Sequence, residues 1–168
     1  MRIAQATTLF DYLYWARDQV LEAASGLEAP VFSSDATVTT RDLRSTLVHE
    51  LDVEWSWRVR LQDANAEQPG EDAELDARDY PTVAALAEHW RRDEVEMRAW
   101  LASLTDADLD GPPVRMEDGL PLWQFIVHLV SHGIQQLSET AVLLTRAGHS
   151  PGEIGFLEYV RATRHAQR

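Results

Sequence analysis

A chain of 168 residues can build one domain with a proper core and is too short to expect two, so residues 1–168 read as a single domain. An apolar fraction of 45% and six tryptophans mark a folded globular protein, and the absence of cysteine excludes disulfides, thiolate metal sites and cysteine nucleophiles. The net charge of −13, with 15 basic residues scattered among 28 acidic ones, argues against phosphate binding as the main task, so no nucleic-acid partner is expected.

No run of 18 apolar residues occurs, so no membrane span or membrane partner is expected. Charges at Asp11, Arg17 and Asp18 break any signal-peptide core, and a cytoplasmic location is the expectation. Helical periodicity begins over roughly residues 4 to 26, with Leu9, Leu13, Ala16, Val20 and Ala24 on one face and Gly26 as the stop. "TVTTRDL" reads as an extended approach to a second helix over roughly 41 to 63, with Thr40 as its expected N-cap. The polar, acidic stretch from 64 to 82 has no apolar period and reads as a loop crossing the bundle.

A third helix is expected over roughly 82 to 104, capped by Thr82. Its inner face is Val83, Leu86, His89 with Trp90, Val95 and Trp100 with Leu101. A second long connection around Asp110-Gly111-Pro112-Pro113 follows, with a short extended pair expected near Val114–Met116. The fourth helix starts near Pro121 or Leu122 and runs to Ala147, with Gly148 at C′, and a tail helix is expected from about Pro151 to 165. Four helices of about 22 to 27 residues, each spanning roughly 33 to 40 Å, joined by two long connections, make an all-α four-helix bundle with long crossover connections and a short C-terminal helix.

Three histidines carry the chemistry. His49 lies mid-helix on a stripe with Leu43, Thr46, Val53 and Trp57, so its ring is expected to point inward. A buried imidazole needs a hydrogen-bond partner or a metal, since burying it with neither costs a few kcal/mol. His128 and His132 stand four residues apart on the last long helix, an advance of about 400° that puts both rings on one face. That spacing is one that metal sites use. The run between them is HLVSH, without the glutamate of a zincin, and one turn further stands Gln136. No G-x-S-x-G frame, Gly-rich phosphate loop or calcium-loop register occurs. Of Trp55 and Trp57, which alternate around the helix, one is expected to face out as an anchor for a homodimer.

The stretches "YLYWARDQVLEAAS", "LRSTLVHELDVEWSWRVRLQ" and "LVSHGIQQLSETAVLLTRAGHSPGEIGFLEYV" together resemble the DinB/YfiT-like family over almost the whole chain. These are damage-inducible bundles related to metal-dependent thiol transferases and isomerases. His49, Glu54 and Trp57 match the family's second helix, and Gly148-His149-Ser150-Pro151-Gly152 with Tyr159 match its tail. The resemblance implies a divalent metal, zinc or nickel, held by one histidine of the second helix and two positions four apart on the fourth. Those positions fall here on His49, His132 and Gln136. His128 matches an upstream family histidine that is not usually a ligand. The usual arginine is Leu137, and the usual tail aspartate is Gly155.

A glutamine offers only a neutral amide oxygen, so losing the third imidazole should cost several kcal/mol of a full site's roughly 10–16 kcal/mol. Three states are open: a weak metal through His49, His132 and Gln136 with water at low occupancy, a site re-formed with His128, or a metal-free site with Gln136 hydrogen-bonded to a histidine. The implied activity is a thiol S-transferase or isomerase acting on small electrophiles with a low-molecular-weight thiol, in a stress-response protein. The alternative is a metal-free small-molecule binding or interaction protein that has lost catalysis.

Overall fold

The computed structural model describes residues 1–34, 39–62, 75–113 and 119–166. Seven α-helices occur among them: α1 (Ile3–Ser25), α2 (Ala29–Phe32), α3 (Leu43–Gln62), α4 (Val83–Ser103), α5 (Asp106–Asp110), α6 (Leu122–Arg146) and α7 (Phe156–Ala166), with a 3₁₀ turn at Ala77–Asp79. No strand occurs among the described residues. The expected extended pair at 114–116 and most of the acidic loop, up to residue 74, lie outside the described residues.

The four long helices form a ring in which α1 packs on α4 and α6, and α3 packs on the same two. The core is built from the inward stripes of all four, with Phe10, Leu13, Leu47, Leu51, Trp90 and Ile126 almost wholly out of solvent. The segment after α3, expected to cross the bundle, instead joins neighbouring helices. The two diagonals are taken by the segments holding α2 and α5.

Local chemistry explains the helix ends. Thr82 caps α4 by accepting from the Ala85 amide at 3.2 Å, as expected. The cap of α3 is Asp42 rather than Thr40: its carboxylate accepts from the Ser45 amide and the Ser45 hydroxyl, both at 2.8 Å, so the helix starts at Leu43. The end of α6 is a Schellman turn. The His149 amide donates to Leu144 O at 2.8 Å and the Gly148 amide to Thr145 O at 3.1 Å, with Gly148 at φ +84.

The tail helix begins at Phe156, later than Pro151, because Gly152 takes φ +77 and breaks any helical run there. That tail lies on α1, where the Tyr12 hydroxyl donates to Ile154 O at 3.0 Å. The Tyr12 ring meets Phe156 edge-on at 5.2 Å, and Trp15 meets Tyr159 at 6.0 Å. On α4 the inner stripe runs Leu86, Trp90, Asp93, Met97, Leu101. Val95 falls off it and is 63% exposed, which corrects its expected inward position.

Candidate functional site

Helices α3 and α6, packed side by side, bring His49 and His132 together with ring centres 5.3 Å apart. Two imidazoles sharing one tetrahedral zinc, with Zn–N of about 2.0–2.1 Å, have ring centres roughly 5 Å apart, so the spacing suits a shared cation. His128 lies one turn away at 6.1 Å from His132; it is exposed and stands edge-on to Trp57 at 5.6 Å. Gln136, the next turn of α6, is 5% exposed, and its Oε1 is buried without a hydrogen-bond partner. Among the described residues, no three His, Asp or Glu side chains form a group able to hold a metal ion.

Sequence reasoning missed Glu50 altogether and singled out Glu54 only as a match in the resemblance, without a place for its carboxyl group. Glu50, on α3 and 1% exposed, contacts His132 Nδ1 through Oε2 at 2.7 Å. A carboxylate behind a histidine is the arrangement that orients ligand imidazoles, leaving Nε2 for a ligand. One turn deeper, Glu54 accepts from the Tyr14 hydroxyl at 2.6 Å and from Trp90 Nε1 at 3.1 Å. Arg17, itself 2% exposed, lies over the Tyr14 ring at 4.6 Å and binds Glu94 at 2.5 Å and Asp18 at 2.8 Å. A polar column thus runs from the histidines through the bundle centre to the far side of α1 and α4. The available signal was a pair of glutamates four apart on the apolar side of α3, in phase with Thr46 and Leu47.

Burial governs the protonation of this column. Desolvation holds the Glu50 carboxyl well above the usual carboxylate range. Desolvation, reinforced by the charge of Glu50, pushes Glu54 up to about 8. Burial also raises the Tyr14 phenol, helped by Glu54, and lowers His132, helped by the positive charge of Arg41. Strongly shifted groups gathered around one cleft are a common mark of a functional site.

Access to His49 comes from a cavity of about 220 Å³ lined by Arg41, Ser45, Val48, His49 and Asp52. A larger cleft of about 620 Å³ lies between α1, α2 and the start of α4, and no histidine lines it. Elsewhere His89 Nδ1 contacts the Tyr80 hydroxyl at 2.7 Å, and the His149 ring lies against Gly26 at the end of α1. No helix is long and apolar enough to cross a membrane among the described residues.

The search of curated proteins gives no match to this chain. A family model, that of the DinB family, matches residues 3–168, nearly the whole of this all-helical chain. The chain belongs to the DinB family.

Proposed function

We propose that this bundle binds a divalent cation, zinc or nickel, weakly through His49, His132 and the amide oxygen of Gln136, and serves a thiol S-transfer or isomerisation on small electrophiles. The observation that carries the reading is the orphaned Gln136 Oε1, a buried acceptor with no partner one helical turn from His132. An unsatisfied buried acceptor costs on the order of 1–3 kcal/mol, and a cation shared with the two imidazoles would remove that cost. A cation held there would act as a Lewis acid and lower the pKa of a bound thiol or water.

The protein's own groups supply the rest. Glu50 orients His132. Trp57 and Phe125, with ring centres 5.6 Å apart, offer an apolar wall near His128, and Arg41 beside His49 places a positive charge at the cavity. These features suit a small molecule and not a polymer.

The test is metal content and affinity of protein purified without a histidine tag, beside Gln136→His. Wild type is expected to hold well under one zinc or nickel per chain, and the variant to approach one and bind at least about tenfold tighter. A variant as empty as wild type sinks the assignment of position 136. The two-imidazole donor set favours a second reading, a metal-free binding bundle, and that reading stands if wild type stays empty at millimolar zinc.

A further inference from the structure

His132 is followed by Gly133, in the middle of a 25-residue helix where glycine is among the least favourable residues. Its backbone needs no positive φ, so conformational freedom does not explain it. Space does. A Cβ added at Gly133 would stand 2.5 Å from Glu50 Oε1 and 2.6 Å from Leu13 Cδ1. Both neighbours are 1% exposed, so neither side chain can swing into solvent to make room.

We infer that Glu50 and Gly133 act as one positioning unit for His132: the missing Cβ leaves the space in which the Glu50 carboxyl group sits, and that group ties Nδ1 so that Nε2 is the ring nitrogen turned toward a ligand. An imidazole has a broad, roughly two-fold χ2 preference, so an untied ring can present either nitrogen. The 2.7 Å contact from α3 removes that choice. The unit spans two helices, so the orientation of His132 depends on the packing of α3 against α6 as well as on its own rotamer. The inference builds on the metal reading for its consequence, but the ring orientation is a property of the metal-free protein.

The test is a ¹⁵N–¹H correlation spectrum of the His132 ring nitrogens in metal-free protein at pH 8, followed by zinc titration. Wild type should show the two separated nitrogen shifts of a single tautomer. Glu50→Ala and Gly133→Ala should bring the two shifts toward a common average and weaken zinc by about 10–100-fold, the usual effect of removing such a partner. Glu50→Gln keeps an amide of equal length that can donate to Nδ1 or accept from it, so it should retain separated shifts. If Gly133→Ala does not fold, the contrast between Glu50→Ala and Glu50→Gln decides alone. Separated shifts in Glu50→Ala overturn the inference. A wild type that binds no zinc sinks the metal reading only, and the ring spectrum still decides this one.

Discussion

Helix α3 buries acidic chemistry in two different ways along its length. Near its end, Arg58 reaches Asp93 of α4 with both side chains nearly closed to solvent, and its other amino group meets Gln62 at 2.9 Å. One and two turns earlier, Glu54 and Glu50 are buried at least as deeply, but their partners are an imidazole, a phenol and an indole, and neither is paired with an arginine among the described residues. The first pair is neutral as a unit and belongs to the α3–α4 seam. The second holds two carboxyl groups with raised proton affinity beside a cluster of histidines. Equal burial therefore marks opposite roles, and the nature of the partner tells them apart.

The largest expected effect comes from breaking the paired half. Asp93→Ala leaves Arg58 buried without its carboxylate and should cost about 3–5 kcal/mol of unfolding free energy, read by urea denaturation. A cost under about 1 kcal/mol would mean that the two halves of α3 do not differ as described.

The next test acts on the unpaired half through pH. Glu54 binds its proton more tightly folded, at about 8, than unfolded, at the usual 4.5. Between those values the native state holds a proton that the unfolded chain has lost, so its contribution to stability is full below 4.5 and disappears as pH rises through 8. The lowered His132 works in the opposite direction only below its ordinary 6.5, so from pH 6.5 to 8 the loss comes from the raised carboxyl groups, Glu54 and with it Glu50. Wild type should lose stability across that window, and Glu54→Gln should lose less, keeping only the share of Glu50. Parallel slopes for the two proteins would show Glu54 already ionised in the fold.

The smallest effect sets the baseline. Glu88 and Arg92 meet at 3.4 Å on the outer face of α4 with 73% and 69% of their side chains exposed. Glu88→Ala should change stability by no more than about 0.5 kcal/mol in the same denaturation experiment, because solvent screens an exposed pair of this kind.

The helices were legible because apolar residues at 3.6-residue spacing leave few alternatives, and Thr82 and Gly148 act within a few residues of themselves. Asp42 competed with Thr40 for the same role, and only the direction of its carboxylate toward Ser45 decides between them. His128 and His132 were legible as a spacing on one helix and His49 as a ring on the inward stripe of another, with Gln136 joined to them by resemblance. Glu50 was not, and Glu54 was known only as a match in the resemblance and not as a buried group, because a glutamate mid-helix is on average a surface residue. Their partners lie far off in sequence: Tyr14 is 40 positions from Glu54, Trp90 is 36, and His132 is 82 from Glu50. No local period encodes such distances. Gly133 was equally silent, since its role is an absence of atoms that matters only once α3 is in place.

The latch between α1 and the tail has a consequence for the order in which the protein opens. An 11-residue helix is too short to persist alone in water, so α7 exists only while Tyr12, Trp15 and the Ile154 carbonyl hold it. Its amides should therefore exchange with deuterium by undocking of the whole segment at once, well before those of α6. That exchange uncovers the ring of Tyr12 while the four long helices stay packed.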